Sequence, residues 1–230
     1  MKHCKLYIKL VLVFFSVALC INSTRSQTNI SGIINLYEVA GSVMGPNSLF
    51  VPNASNFQVN DTVLIIQMQG AIIDHSQTDT YGNIVDLNNC GNFEFNIIDN
   101  ISANTIYFRC NLINSYTGVV QIIKVPNYTN ANVSSVLTAA NWDGSTGGVL
   151  AFIVQGTLTL NANIDVTGKG FWGAMPSQDN IGNCTNGLPE YIKYYYNVSA
   201  SDTAGLKGEG ITVWDNNYAR GRGKNATGGG

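Results

Sequence analysis

Residues 147–173, GGVLAFIVQGTLTLNANIDVTGKGFWG, constrain the fold more than any other stretch, because every even position from Leu150 to Val166 is apolar or glycine. A period of two sustained over that length is β-structure with one face in a core. After Ala151 and Ile153 the odd positions turn polar, running Gln155, Thr157, Thr159, Asn161, Asn163, Asp165 and Thr167. Turn-formers on that polar face let the chain bend without losing register. The pattern predicts consecutive short strands winding round a parallel β-helix, or solenoid.

The amino terminus reads as a secretory signal. Lys2, Lys5 and Lys9 precede an apolar run over 10–20 (LVLVFFSVALC) that is too short to span a bilayer. Thr24 and Ser26 supply the small side chains a signal peptidase reads, so cleavage is expected after Ser26, with Gln27 as the new terminus. Residues 1–26 are then a signal peptide, and the mature chain, with no transmembrane segment expected, is secreted or held at the cell surface. Losing them leaves eight basic against fourteen acidic residues, a formal charge of −6. Such a chain has no general attraction for nucleic acid or anionic lipid. Charged residues are only 11% of the total while asparagines number 29, so solubility comes from amide and hydroxyl groups. That balance suits an extracellular all-β protein and argues against disorder.

Residues 27–141 read as a compact β domain, a small sandwich or barrel, because apolar runs recur between Asn, Asp, Gly and Pro clusters without sustained helical spacing. Residues 62–69, TVLIIQMQ, follow the turn signal Asn60-Asp61, and their nearly unbroken apolar character predicts burial on both faces. The polar excursion over 73–92 predicts an exposed loop or a pair of short edge strands. Phe93, Phe95 and Ile97 alternate with Glu94 and Asn96, a turn falls over 99–104, and Ile106 and Phe108 return on a partner strand, which makes a hairpin. Residues 119–125, VVQIIKV, form a strand stopped by Pro126, and 133–137 offer a shorter one. Residues 142–230 read as the start of a β-solenoid with a glycine-rich tail. Because the sequence ends NATGGG without a capping strand, and stacked repeats need neighbours to cover an open end, the expectation is a fragment of a longer polypeptide.

Cys90, Cys110 and Cys184 follow the signal. In an oxidising compartment Cys90 and Cys110 are candidate disulfide partners, since they flank the hairpin at comparable distances from its turn; Cys184 is left over. Residues 168–173, GKGFWG, match the glycine spacing of a dinucleotide loop, but Ala174-Met175-Pro176 follows where a helix is required. The glycines then serve a turn, with Phe171 and Trp172 covering the core. His75 lies between Asp74 and Ser76, yet neighbours on an extended segment face opposite ways, and no GxSxG elbow exists. No catalytic residue and no cofactor is nominated. Asp74, Asp79 and Asp86 share one loop and are candidate calcium ligands, although their spacing matches no EF-hand or nonapeptide repeat. The strongest candidates for a binding surface are Tyr191, Tyr194, Tyr195, Tyr196, Trp214 and Tyr218, because aromatic faces stack on sugar rings and Asn197, Asn216 and Asn217 suit their hydroxyls. Alternate tyrosines covering a core edge are the plainer reading of the same residues.

Taken in order, DTVLIIQMQGA (61–71), Tyr81-Gly82, FEF (93–95), VQIIKVPNY (120–128), WDGSTGGVLAF (142–152) and GTLTLNANIDVTGKGFWGA (156–174) resemble the amino-terminal region of very large, glycine-rich secreted surface proteins of gliding and related bacteria. The resemblance covers 57–230 and departs at Trp172, where such proteins commonly carry Arg. It implies a cell-surface structural or adhesion role, continuation into repeat arrays and, in Bacteroidota, a gliding-motility-associated or type IX secretion sorting domain. It supplies no catalytic residue. The expected partners are extracellular polysaccharide or other surface components. The rival expectation is the non-catalytic beginning of a polysaccharide-degrading enzyme with a β-helix fold.

Overall fold

Apolar runs separated by Asn, Asp and Gly give short strands, and how they pair decides the architecture. The computed structural model describes residues 27–175, 194–199 and 205–221. In chain order the strands are β1 (Thr28–Ile33), β2 (Leu36–Ala40), β3 (Val43–Gly45), β4 (Ser48–Phe50), β5 (Thr62–Gln69), β6 (Ile72–Ile73) and β7 (Ile84–Asp86). Then come β8 (Phe93–Ser102), β9 (Thr105–Phe108), β10 (Val119–Lys124), β11 (Asn127–Tyr128), β12 (Ala131–Thr138), β13 (Ile153–Val154) and β14 (Leu158–Leu160). The protein is all-β, and among the described residues no helix is long and apolar enough to cross a membrane.

Seven strands form one antiparallel sheet in the order β2-β10-β5-β8-β9-β4-β3. Its two ends are successive pieces of one stretch, 36–45, which pairs with β10 at its start and with β4 at its end. At the break, Gly41 N donates to Phe50 O at 2.8 Å and Phe50 N to Ser42 O at 3.0 Å, so the sheet curls round until it closes. A Cβ on Gly41 would lie 2.8 Å from the Phe50 ring, which is why this corner takes glycine. Leu49, Val63, Ile65, Ile106, Phe108 and Ile122 fill the interior. As the unbroken apolar run predicts, β5 is buried on both faces, with Val63 and Ile65 inside and Leu64 in a second cluster on the outer face. The excursion over 73–92 resolves into the short edge pair β6–β7.

The hairpin forms as expected, with β8 and β9 joined at Ala103-Asn104, and at the start of β8 its polar face is the buried one. Phe93 and Phe95 are 58% and 52% exposed, whereas Glu94 and Asn96 are buried. The polar side chains turn inward because the loop after β9 presents backbone groups that need partners. Glu94 accepts from Ile113 N (3.0 Å), Asn114 N (3.1 Å) and Tyr116 Oη (2.9 Å), while Asn96 Nδ2 donates to Cys110 O at 3.0 Å. A register shift between Ile98 and Asn100 belongs to the same strand. The expected disulfide is not formed: Cys90 and Cys110 are both free thiols. The turn falls later than the sequence suggested, so Cys110 sits beside Asn96, six residues along the chain from Cys90. Cys90 instead directs its thiol to the carbonyl oxygen of Met68 at 3.1 Å.

A second layer consists of parallel strands. β12 lies between β1 and β14, and β11 pairs with β13. Asn127 pairs with Ile153, Ala131 with Leu158 and Leu137 with Ile164, an offset of 26 or 27 residues each time. Side-chain amides repeat the stacking: Asn161 Nδ2 donates to Asn132 Oδ1 at 2.8 Å, and Asn132 Nδ2 to Asn29 Oδ1 at 2.9 Å. This layer takes in β1 and residues 127–138, so strand pairing crosses the boundary expected at 141.

Residues 149–154 run between the layers. Val149, Ala151 and Ile153 pack on the outer face of β5 and β10, while Leu150, Phe152 and Val154 pack on Ile30, Ala131, Val133 and Leu137. Three side chains from the sheet side hold alternate backbone groups of this segment. Gln121 brackets Gly147 (Nε2 to O 3.0 Å; N to Oε1 2.9 Å), Tyr37 Oη donates to Val149 O at 2.6 Å, and Asn35 brackets Ala151 (Nδ2 to O 2.6 Å; N to Oδ1 3.1 Å). Farther on, Leu160, Ile164 and Val166 are exposed at the open end of the stack, where no further strand covers them among the described residues.

Candidate functional site

The excursion after β5 and the segment 205–221 meet at one end of the closed sheet. Gly70 N and Ala71 N both donate to Ile211 O, at 2.8 and 3.1 Å, and Gln69 Nε2 donates to Gly210 O at 2.7 Å. The stretch 194–196 is fixed by Gln77, whose Oε1 accepts from Tyr194 N (2.6 Å) and Tyr195 N (3.2 Å). Tyr196 exchanges backbone hydrogen bonds with Arg220, at 2.9 and 3.1 Å, which brings the two carboxy-terminal segments side by side.

These contacts gather a ring cluster. His75 and Tyr218 have centroids 4.1 Å apart, Tyr195 and Tyr218 4.7 Å, and Tyr81 and Tyr195 5.3 Å, with tilted or edge-on geometry. Tyr81 is buried at the centre, and burial first, then the nearby Tyr218, Tyr195 and Asp215, push its hydroxyl up to about 12. Lys207 is 6% exposed, its ammonium 3.8 Å from the Tyr81 ring centroid and donating to Tyr194 O at 2.9 Å. Burial pulls its pKa down to about 8. A cavity of about 50 Å³ lies against His75, Tyr81, Lys207, Glu209, Asp215 and Tyr218. It opens into a shallow groove bordered by Ile72, Thr212, Trp214, Asn216 and Asn217. Trp214 is 38% exposed and held in place by its Nε1, which donates to Asn216 Oδ1 at 3.0 Å.

Of the six expected binding-surface aromatics, Tyr195 and Tyr218 enter the cluster and Trp214 borders both cavity and groove. Tyr194 and Tyr196 contribute through their backbones, and Tyr191 lies outside the described residues, as does Cys184. Three members carry no sequence signal that would place them in this cluster: His75 and Tyr81 lie in the polar excursion, more than a hundred residues from Tyr195, and Lys207 lies in a glycine-rich stretch. His75 with Asp74 and Ser76 forms no catalytic set, because Asp74 is turned onto its own loop. Its carboxylate accepts from Ser76 N at 2.7 Å and Thr80 Oγ1 at 2.6 Å.

The structure does not gather Asp74, Asp79 and Asp86 into one ligand set. Asp86 likewise closes its own turn by accepting from Asn88 N at 2.8 Å, and among the described residues no group of three His, Cys, Asp or Glu side chains could hold a metal ion. In the glycine turn, Gly168 adopts φ +68° and Phe171 packs edge-on against Trp142 at 5.3 Å, but Trp172 is 64% exposed and does not cover the core.

No family model and no curated protein matches the chain. Among solved structures it is similar to the tailspike protein gp49 from Pseudomonas phage LKA1, at 15% identity and a TM-score of 0.28, over 63% of this chain. The match spans 24% of the tailspike's own length.

The loop carrying His75 makes one pH prediction. The Thr80 hydroxyl, then the Ser76 hydroxyl and amide, hold the exposed Asp74 carboxyl at about 2. A folded pKa below the unfolded value near ~3.9 means these bonds contribute fully above that value and are lost as pH falls through about 2. Carboxyl-detected NMR titration should place the Asp74 midpoint near 2, with the Ser76 amide shift following it. A midpoint near ~4 would show that the turn does not form in solution.

Proposed function

We propose that the chain is a secreted cell-surface structural and adhesion protein that contacts glycans at the groove beside Trp214. The single observation that supports this most is a half-exposed indole, fixed by Asn216, on an open groove that Asn216 and Asn217 also line. A sugar ring stacks its apolar face on such an indole while amides serve its hydroxyls. The parallel layer is read here as the first turns of a β-solenoid, which the constant offset of 26 or 27 residues and the stacked asparagines support. In that reading the chain belongs with the large surface proteins of gliding bacteria, and weak contacts repeated across many copies on a cell surface supply avidity.

The test is binding of the chain from Gln27 onward to immobilised polysaccharides of varied composition. Trp214→Ala should lower binding at least fivefold, taking the ~1–3 kcal/mol of a base stacked on an aromatic side chain as the scale. Absence of binding to every polysaccharide at high ligand density would end the glycan reading.

A further inference from the structure

Lysine is almost never fully buried unless a partner neutralises it. Lys207 is 6% exposed, yet its ammonium meets one carbonyl oxygen, of Tyr194, and one π-face, of Tyr81. Among the described residues the only ion pair joins Lys124 to Asp61, so no carboxylate there neutralises Lys207. An ammonium has three N–H donors, and these two contacts leave one. The cavity of about 50 Å³ lies beside it. For comparison, a cavity of ~150 Å³ accepts one benzene ring, so this space is too small for a sugar ring and large enough for a small anionic substituent.

The two acids in the cavity wall are committed elsewhere. Glu209 accepts from Trp172 N at 3.2 Å, and Asp215 accepts from Asn217 N at 2.8 Å as the cap of the 3-10 turn Asn216–Tyr218. Asp215 is also exposed, so solvent weakens its repulsion of an anion, although its charge still reaches Tyr81. The cavity and the Trp214 groove share Ile73, His75, Thr212, Val213, Trp214 and Asp215, so the cavity that Lys207 lines adjoins the surface on which a ring would stack.

We propose that this site selects an acidic sugar: a uronate ring stacks on Trp214 and its carboxylate enters the cavity to meet the Lys207 ammonium. The proposal rests on the glycan reading above and names the chemical class of its ligand. The lowered pKa of Lys207 has the same origin, a desolvated cation awaiting a counter-charge. The overall formal charge argues the other way, since at −6 after loss of the signal the chain repels polyanions at long range. A preference for uronate would therefore be the work of the site and not of the general field.

The experiment compares oligogalacturonate with its carboxyl-reduced counterpart by calorimetry, on the chain from Gln27 onward and on its Lys207→Met variant. The expected result is at least tenfold tighter binding of the uronate by the unaltered chain. Lys207→Met should remove that preference while leaving the reduced sugar's affinity within about twofold. Thermal melting accompanies each variant, and the comparison of two ligands on the unaltered chain does not depend on the variant folding. Equal binding of both sugars, or an undiminished preference in the variant, overturns the carboxylate site and leaves the glycan reading standing. Binding of neither sugar, with neutral polysaccharides still bound, likewise overturns the carboxylate site alone. Absence of binding to any saccharide overturns both.

Discussion

Trp142→Ala is expected to destabilise the protein by about 3–5 kcal/mol, the range for removing a fully buried aromatic side chain from a packed site. Trp142 is 1% exposed and lies at the bend where the chain leaves the stretch 131–140 and enters the segment between the two layers. Its backbone N–H donates to Lys169 O at 2.8 Å, its carbonyl accepts from Trp172 Nε1 at 3.1 Å, and its ring meets the edge of Phe171. Truncation leaves a void between elements that cannot collapse independently, because both are held by backbone hydrogen bonds across the offset of the parallel layer. Trp142→Phe should cost far less, about 1 kcal/mol, since it keeps most of the volume and also removes an indole N–H that has no hydrogen-bond partner among the described residues. Urea denaturation of the three proteins checks the order. If the alanine and phenylalanine variants lose the same stability, the indole's packing is not what holds the bend.

Gly147→Ala should be the second severe change, and its neighbour Gly144 supplies the control. Both glycines have φ near the left-handed region, +94° at Gly147 and +97° at Gly144. A Cβ at Gly147 would lie 2.2 Å from Asn141 O, whereas one at Gly144 would meet nothing within 4 Å. Gly144→Ala then carries only backbone strain, about 1–2 kcal/mol. Gly147→Ala adds a clash with backbone, worth a further ~1–3 kcal/mol, and disturbs the paired hydrogen bonds between Gly147 and Gln121. A larger shift in urea midpoint for Gly147→Ala than for Gly144→Ala, at unchanged slope, is the expected outcome. Equal shifts would mean that the Asn141 carbonyl gives way freely and that the bracket on Gly147 is not rigid.

The candidate site was half legible beforehand. Tyr195, Trp214 and Tyr218 stand out as a cluster of aromatics among neutral amides, and the structure brings them to one cavity and groove. His75, Tyr81 and Gln77 could not be foreseen, because they join across more than a hundred residues of chain through backbone contacts that no local pattern records. Lys207 is the clearest case: burial is a property of what surrounds a side chain, and its immediate neighbours are Leu206 and glycine. The three aspartates show the same limit. Three aspartates in one loop suggest a metal, but a carboxylate near free backbone N–H groups closes its own turn first, as Asp74 and Asp86 do.

Residues 147–173 mark where the sequence stops deciding. Periodicity alone determined that this stretch is extended and two-faced, because side chains alternate across a strand whatever lies beside it. It also carried an exception, apolar Ala151 and Ile153 on the odd face, that the sequence could record but not explain. Only the tertiary structure supplied the reason: there the odd face lies on the closed sheet, and from Gln155 onward it meets water. By the same logic, alternation in β8 fixed which residues share a face, but not that Glu94 and Asn96 would take the inside and Phe93 and Phe95 the outside. A period of two is a local consequence of backbone geometry. Which face is buried depends on distant backbone groups, here the N–H groups of Ile113 and Asn114, whose acceptor is the Glu94 carboxylate.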